Sequence, residues 1–419
     1  MEANKNKTSR SISFSPPDIS EAEIAEVAEA LRSGWITTGP RTKELERRLA
    51  DFIGVNRTVC LNSATAAEEL NFRVLGIGEG DEVIVPAYTY TASASAAIHD
   101  GARVVLIDSQ PGSWEMDYDN MEAAINEKTK AIVPVDIGGI MCDYDRIYQA
   151  IERKNHLFRP AGNTDLGQRI QSALGRVAVV ADCAHSLGAS RNGKNAGTAS
   201  DFASFSFHAV KNLTTAEGGA ATWQSSEGIS DEEIYKAYQL YSLHGQNKDA
   251  LAKSKKGAWE YDIVGPWYKC NMTDIAAAIG LRQLDRYPVI LQRRRDIIAR
   301  YDEALDRIGV EHLIHSGETF QSSGHLYLAR IPNIDETKRN AVIEEMGERG
   351  IACNVHYKPL PMMTAYKKLG WNINDFPNAY SYYRNLISLP LHTRLNDEEV
   401  EYVAENFVEI AKKHMARNP

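Results

Sequence analysis

The sequence has few cysteines, no long hydrophobic run and no excess of basic residues. Its five cysteines are scattered over 419 residues without a CxxC pair, which argues against a disulfide framework and a structural zinc site. No apolar run approaches the roughly 20 residues that span a bilayer, and no apolar segment follows the charged first residues, MEANKNKTSR. We therefore expect no metal site, no membrane contact and a reducing, cytoplasmic location.

The charge balance is acidic. The 56 Asp and Glu residues outnumber the 47 Lys and Arg residues, which gives a net charge of −9. The most basic run is the short cluster at residues 293–295. This distribution argues against a nucleic-acid partner.

Short apolar runs alternate with helical patterns through much of the chain. Runs that are apolar throughout are typical of strands buried on both faces, so they predict an α/β fold with a mostly parallel sheet flanked by helices. The runs occupy residues 59–61, 83–85, 104–107, 132–135 and 177–180.

The length of the chain predicts two domains. We place the larger domain at residues 1–285 and a smaller α/β domain at residues 286–419, where a long charged helix begins. A polar segment at residues 153–176 is interpreted as an inserted loop whose second half is helical. The strands expected in the smaller domain lie at residues 325–331 and 351–356.

Near the N-terminus the sequence predicts an amphipathic helix. Ser20 and Glu23 form a capping box at its start. Ile24, Val27 and Leu31 then fall on one face, which we expect to pack against the protein.

In a parallel sheet, ligands bind at the carboxyl ends of the strands. There the residue that most needs an explanation is Lys211, which follows alternating Ser and Phe at residues 204–207 and has apolar neighbours. Burial among them would favour the neutral amine, which is able to form a Schiff base. Taken alone, such a lysine is more often a solvated surface residue.

Pyridoxal phosphate (PLP) as the partner of the lysine would explain other residues at these strand ends. Asp182, at the end of an apolar run, would keep the pyridine nitrogen protonated. Tyr90, which we favour over Tyr88, would cover the ring. His185 would donate a hydrogen bond to the phenolic oxygen.

The phosphate would need hydroxyl groups and the backbone N–H groups of a helix N-terminus. The residues that supply them are Ser63, Ala64, Thr65 and Ser206. Each residue of this set has an ordinary alternative role in a cap, a turn or a packed core. Their joint occurrence at strand ends is what favours a cofactor site.

Several stretches of the sequence resemble one known family. They are SGWITTGP, NSATAAEEL, PAYTYTAS, DCAHSLGA, SFSFHAVKNLTTAEGGA, LHGQNKDA, YKCNMTDIAAAIGL and SLPLH. From about Ile12 to its C-terminus the chain resembles the PLP-dependent nucleotide-sugar aminotransferases of the DegT/DnrJ/EryC1/StrS family. The resemblance implies a type I aminotransferase fold and a homodimer whose two active sites lie at the subunit interface.

The resemblance also implies roles for individual residues. Lys211 corresponds to the lysine that holds PLP, and Asn271 to an asparagine that reaches the phosphate from the other subunit. The positions with implied roles in substrate binding are Trp35, Thr37, Thr38 and His356. Two departures from the family pattern, Glu68 in place of an apolar residue and Val210 in place of a threonine, are not expected to touch the chemistry.

The leading function is transfer of an amino group from L-glutamate to a keto carbon of a nucleotide-linked sugar, in the biosynthesis of amino sugars. The stretches SGWITTGP and LHGQNKDA favour carbon 4 of a 4-keto-6-deoxy sugar. Two alternatives stay open. The family's PLP-dependent sugar dehydratases carry a histidine in place of the lysine, so Lys211 counts against that activity. A non-catalytic PLP-binding regulator is disfavoured because the sequence has no basic surface signature.

Overall fold

The computed structural model describes residues 11–248 and 260–415. The first ten residues, on which the expectation of no signal segment depends, lie outside this range. Asp249 and Ala250, the end of the LHGQNKDA stretch, are also outside the described residues. Within the described part of the chain, no helix is both long and apolar enough to cross a membrane.

A seven-stranded sheet forms the centre of the larger part of the molecule, with the strand order β1-β9-β8-β5-β4-β2-β3. Its strands are β1 (Thr58–Leu61), β2 (Glu82–Pro86), β3 (Arg103–Ile107), β4 (Thr129–Ile132), β5 (Ala178–Asp182), β8 (Phe202–Ser206) and β9 (Gly219–Trp223). The strand pairs β3–β2, β2–β4, β4–β5 and β5–β8 are parallel, while β9 runs antiparallel to both of its neighbours, β1 and β8. The predicted α/β fold with a mostly parallel sheet is confirmed.

Each predicted apolar run overlaps one of these strands, and the central strands β2 and β5 are buried along their whole length. The largest shift is at β4, which begins at Thr129 and ends at Ile132. The polar residues Thr129 and Lys130 are buried there, so the apolar pattern missed the start of the strand.

Helices cover both faces of the sheet. They are α1 (Glu21–Arg32), α2 (Pro40–Ile53), α3 (Ala64–Val74), α4 (Ala92–His99), α5 (Tyr118–Ala124), α6 (Tyr144–Arg153), α7 (Asp165–Leu174), α8 (Asp231–Ser242) and α9 (Asp274–Asp285). Helix α7 forms the second half of the segment at residues 153–176, as expected. Thr164 caps it, and Gln171 ties it to the body of the protein by donating to the carbonyl of Leu75 at 2.8 Å.

The capping box at the start of α1 is confirmed, because Glu23 Oε2 accepts from the backbone N–H of Ser20 at 2.7 Å. The prediction that Ile24 and Leu31 pack against the protein is wrong, because both side chains are exposed. The buried residues of α1 are Glu23 and Ala30 instead, and Glu23 accepts from Gln283 Nε2 at 2.8 Å.

The C-terminal part contains a three-stranded sheet and longer helices. The strands are β10 (Glu311–His312), β12 (Tyr327–Arg330) and β13 (Leu386–Leu389), and β11 (Phe320–Gln321) pairs instead with β6 (Ser190–Arg191), which also pairs with β7 (Lys194–Asn195). The helices are α10 (Tyr287–Asp306), α11 (Glu336–Glu348), α12 (Thr364–Lys368), α13 (Pro377–Tyr383) and α14 (Asp397–Met415). Their core is built from buried residues between Ile297 and Ala411 and, from the N-terminal end, Ile12.

Of the two strands expected in this part, the first is present as β12. The prediction of a second strand at residues 351–356 is wrong. Only two isolated bridges form there, from Ile351 to Ile12 and from Asn354 to Ser388. Because the two bridges are made to different chain segments, no continuous ladder is established. The division of the chain at residue 285 stays a prediction.

Candidate active site

A cavity of about 430 Å³ opens at the carboxyl ends of β5 and β8. Nine of the thirteen residues predicted to form the site line this cavity. They are Ser63, Ala64, Thr65, Tyr90, Asp182, His185, Ser206, Lys211 and His356. The rule that ligands bind at the carboxyl ends of parallel strands therefore located the cavity correctly.

Lys211 lies in the loop after β8, where its backbone N–H donates to the carbonyl of His208 at 2.9 Å. Burial lowers the pKa of its amine to about 8, although the negative charge of Asp182 acts in the opposite direction. Of the apolar residues near Lys211 in the sequence, Phe205 and Phe207 are fully buried, although neither lines the cavity. Val210, the apolar residue directly before Lys211, is exposed and lines the cavity.

Asp182 is the last residue of β5 and is buried. Its carboxylate accepts from Ser93 Oγ at 2.7 Å and from the backbone N–H of Ala184 at 3.1 Å. Burial raises the pKa of the carboxyl group, while these two hydrogen bonds and the charge of Lys211 oppose that shift. The two donors fix the orientation of a carboxylate that faces the cavity.

His185 is buried and is held between two partners. The backbone N–H of Gly138 donates to its Nδ1 at 3.3 Å, so the ring proton resides on Nε2, which lies 3.0 Å from the hydroxyl of Tyr357. Burial and the charge of Lys211 hold the pKa of His185 well below its usual value. His185 is therefore a neutral donor at the cavity wall.

Tyr357 is a cavity residue that the sequence analysis missed. Its ring lies 5.7 Å from that of Tyr90 and 6.0 Å from that of His185. The available signal was its position next to His356, which was expected at the site. A sequence pattern alone could not show that this loop reaches the end of β5.

The two tyrosines that follow β2 differ in their surroundings. Tyr90 lines the cavity and is 59% exposed. Tyr88 is fully buried, and its hydroxyl donates to the carbonyl of His356 at 2.6 Å and accepts from the N–H of Tyr357 at 2.8 Å. Tyr88 therefore holds the loop that carries Tyr357, and Tyr90 is the tyrosine that a ligand can contact.

The N-terminus of α3 forms one end of the cavity. Ser63 caps the helix by accepting from the N–H of Ala66 at 3.1 Å. The first turn of a helix leaves backbone N–H groups unpaired, which suits an anion. At Gly219 an added Cβ would lie 2.3 Å from the carbonyl carbon of Ser63 and 2.4 Å from the nitrogen of Ala64. Only glycine allows β9 to approach this helix start so closely.

The chemistry of these groups fits PLP. The cavity offers a helix N-terminus for a phosphate, a buried carboxylate for a cationic ring nitrogen and a lysine amine of lowered pKa for the aldehyde. Asp182 and Lys211 lie close enough for the charge of each to shift the pKa of the other.

The remaining predicted residues form a separate block outside this cavity. Thr38 Oγ1 donates to the carbonyl of Met272 and accepts from Asn271 Nδ2, each at 2.5 Å. Trp35 Nε1 donates to the carbonyl of Thr38 at 3.1 Å. Thr37 belongs to the same loop. In the described chain, none of these four predicted residues lines the cavity that contains Lys211.

This block is anchored by the buried carboxylate of Asp274 at the start of α9. Asp274 accepts from the N–H of Gly39 at 2.8 Å and from the N–H and hydroxyl of Thr42 at 2.9 and 2.7 Å. The loop at residues 34–40 is therefore fixed to the segment that carries Asn271.

The fold and the cavity together define a PLP-dependent enzyme of the type I aminotransferase fold. The sequence model of the DegT/DnrJ/EryC1/StrS aminotransferase family matches residues 17–158 and 168–408, and the chain belongs to this family. It is an aminotransferase, and its cofactor is PLP. The gap in the match falls inside the segment that was interpreted as an insertion.

Among known proteins, the chain is similar to the spore coat polysaccharide biosynthesis protein SpsC of Bacillus subtilis, with 35% identity over 97% of this chain and 98% of SpsC. It is also 33% identical to the UDP-4-amino-4-deoxy-L-arabinose–oxoglutarate aminotransferase of Shewanella sediminis, over 94% of this chain and 96% of that protein.

Among solved structures, the PLP form of Spr1654 of Streptococcus pneumoniae, assigned as a sugar aminotransferase, has 54% identity and a TM-score of 0.91. The comparison covers 97% of this chain and 100% of Spr1654. PseC of Helicobacter pylori, an aminotransferase of pseudoaminic acid biosynthesis, has 27% identity and a TM-score of 0.82 over 96% of this chain and 100% of PseC.

The lowered pKa of Lys211 predicts how the cofactor-free protein reacts with PLP. The rate of covalent attachment, trapped with borohydride, should rise with pH and level off above about pH 8, because the neutral amine is the nucleophile. An ordinary lysine would level off only near 10.4. Peptide mass analysis should locate the label on Lys211.

The variant Asp182→Asn is the matched control for this measurement. It removes the charge that raises the pKa of Lys211, so its midpoint should lie at lower pH than that of the wild type. Label on another lysine, or a wild-type midpoint near that of free lysine, would contradict the assignment.

Proposed function

We propose that the enzyme transfers an amino group from L-glutamate to carbon 4 of a nucleotide-linked 4-keto-6-deoxy sugar. The observation that carries this proposal is the amine of Lys211, whose pKa is about 8, in one cavity with Asp182 and His185. The Shewanella sediminis relative, named for a 4-amino sugar linked to UDP and for oxoglutarate, supports carbon 4 and the amino donor.

Lys211 would move protons in both halves of the reaction. PLP, when bound, draws electrons from the substrate carbon that bears nitrogen and carries the amino group between the two substrates. Because the pKa of Lys211 is about 8, a useful fraction of its amine is unprotonated near neutral pH. Lys211 Nζ would take a proton from one carbon and return it to another, as a general base and then a general acid.

Asp182 and His185 would bind two polar groups of the cofactor ring, the ring nitrogen and the phenolic oxygen. The carboxylate of Asp182, oriented by Ser93 and Ala184, would keep the ring nitrogen protonated. The Nε2–H of His185 would donate to the phenolic oxygen. Its present partner, the hydroxyl of Tyr357, would stay close enough to share that interaction.

Stacking and phosphate contacts would complete cofactor binding. Tyr90 would cover the ring face. The phosphate would accept from the backbone N–H groups and the hydroxyl groups at one end of the cavity. The residues proposed for that end are Ser63, Ala64, Thr65 and Ser206.

We further propose that each site is completed by a second copy of the chain. Trp35, Thr37, Thr38 and Asn271 form a fixed block outside their own cavity, as residues that serve a partner's site would. The exposed side chains Ile24 and Leu31 give α1 an apolar face, which supports an interface with that copy. A groove of about 340 Å³ between this face and Ala209 continues it toward the Lys211 loop.

His356 is proposed to contact the substrate from within the chain. Its Nδ1 lies 2.9 Å from Ser388 Oγ, and its ring stacks on Phe14 with centroids 5.3 Å apart. Burial lowers the pKa of His356 to about 4, with the charge of Lys211 acting in the same direction. It would therefore bind a sugar hydroxyl or a carboxylate as a neutral group.

The function is tested in two half-reactions. Adding L-glutamate to the PLP-loaded enzyme should change its absorbance spectrum and release 2-oxoglutarate. Adding nucleotide-linked keto-sugars one at a time should then restore the original spectrum only with a 4-keto sugar, and mass analysis should find an amino sugar. A spectrum that glutamate never changes would contradict the proposed donor, and restoration by a 3-keto sugar alone would contradict carbon 4.

A second prediction concerns Asp182→Asn. The substitution removes the charge that keeps the ring nitrogen protonated but can retain the hydrogen bonds from Ser93 and Ala184. Both half-reactions should slow by orders of magnitude while the cofactor stays attached to Lys211. Single-turnover absorbance measurements would show this. Near-normal rates would mean that another group pairs with the ring nitrogen.

A third prediction concerns assembly. Two inactive variants, Lys211→Ala and Asn271→Trp, are mixed under conditions that allow subunits to exchange. In a mixed dimer one site has both changes, whereas the other has its own Lys211 and receives Asn271 from the partner. Activity should return to about one quarter of the wild-type value if exchange is random. Mixed dimers that are present by mass but inactive would contradict a shared site.

A further inference from the structure

Glu68 is a buried acid in the cavity to which no role has been assigned. It lies on α3, one turn after Ala64 and Thr65, and lines the same cavity as Asp182. The residue is only 1% exposed. Its Oε1 has no hydrogen-bond partner among the described residues. Glu68 is one of the two departures from the family pattern that were not expected to touch the chemistry.

Two other buried glutamates of the described chain, unlike Glu68, have hydrogen-bond partners for their carboxylates. Glu46 accepts from the N–H of Cys60 at 3.0 Å and from the hydroxyl of Tyr235 at 2.6 Å. Glu23 accepts from Gln283 and Ser20. A buried polar group without a hydrogen-bond partner destabilises the folded state. An apolar residue would avoid that cost, so an acid here needs a partner that a ligand brings.

The charges that act on Glu68 are both negative. They are Asp182 at the end of β5 and Glu69, its neighbour on α3. Together with burial they raise the pKa of Glu68 well above its usual value. No cation is among the charges that shift the pKa of Glu68, whereas Asp182 has the charge of Lys211. Burial and both charges therefore favour the protonated form of Glu68, whose carboxyl group has a proton to donate.

We propose that Glu68 is a positioning residue of the cofactor site, whose neutral carboxyl group donates a hydrogen bond to bound cofactor beside Asp182. The two acids then present one negative charge to the cofactor instead of two. A second ionised acid would repel the phosphate, whereas a neutral one adds a contact at no electrostatic cost. The inference rests on the proposed role of Asp182 at the ring nitrogen.

Two substitutions of Glu68 distinguish its role as a hydrogen-bond donor from an effect of its charge. Glu68→Gln keeps a donor of the same size and is always neutral, whereas Glu68→Leu is apolar. Glu69→Gln is the control, because Glu69 bonds to His99 and does not line the cavity. The first readout is binding of pyridoxamine phosphate to the cofactor-free protein, since this compound does not attach to Lys211.

We expect Glu68→Gln and Glu69→Gln to bind pyridoxamine phosphate within a few-fold of the wild type. Glu68→Leu should bind about tenfold more weakly or worse, because a hydrogen bond to a charged ligand is lost. Wild-type affinity in Glu68→Leu would overturn the donor role. If circular dichroism shows that Glu68→Leu does not fold, the protonation measurements on Glu68→Gln decide.

Infrared spectroscopy reports protonation directly. At neutral pH the wild type should show the carbonyl stretch of a protonated carboxyl group, which Glu68→Gln loses and Glu69→Gln keeps. If Glu68 were ionised, no such band would be lost, and that result would overturn the proposal. Neither measurement uses turnover, so failure of the proposed role of Asp182 would be seen separately.

Discussion

The proposed active site depends on keeping the buried carboxylate of Asp182 charged. Asp182 ends β5, whose register with β8 pairs it with Ser204, and the loop after β8 carries Lys211. Burial alone would neutralise both groups, since it raises the pKa of Asp182 and lowers that of Lys211. The hydrogen bonds from Ser93 and Ala184 and the mutual attraction of the two charges oppose this. The cavity therefore holds a carboxylate beside an amine of intermediate basicity.

This arrangement requires segments that are far apart in the sequence. Gly219 allows β9 to touch the start of α3, which brings the anion-binding end of the cavity next to the lysine loop. On the other side, Tyr88 holds the chain at Tyr357, whose hydroxyl reaches His185 across 172 positions of sequence. The C-terminal part of the chain thus supplies one wall of the site, and a shift of that part would change the hydrogen bonding of His185.

The strand ends could be predicted because burial on both faces leaves a local pattern, and Lys211 and Asp182 could be found from their places after such strands. Residues that reach the site by tertiary packing left no such pattern. Tyr357 directly follows a segment, residues 351–356, whose pattern suggested a strand, although Ile351 and Asn354 bridge to separate parts of the chain. Glu68 was passed over because helical periodicity does not say which face meets a cavity. Asn271 was placed by resemblance alone, and in the structure it bonds to Thr38 and does not line the cavity that contains Lys211.

The charges of the cavity explain why so many of its titratable groups are held neutral. His185 and His356 both have lowered pKa values, so neither adds a positive charge near Lys211. A cationic histidine there would lower the pKa of the lysine further, and a second ionised acid would raise it toward the ordinary value, where a proton is rarely released near neutral pH. Lys211 can alternate between base and acid only while Asp182 is the dominant charge acting on it. Holding the histidines neutral is therefore as much a part of the proposed proton transfer as the lysine itself, and the protonated state proposed for Glu68 acts in the same way.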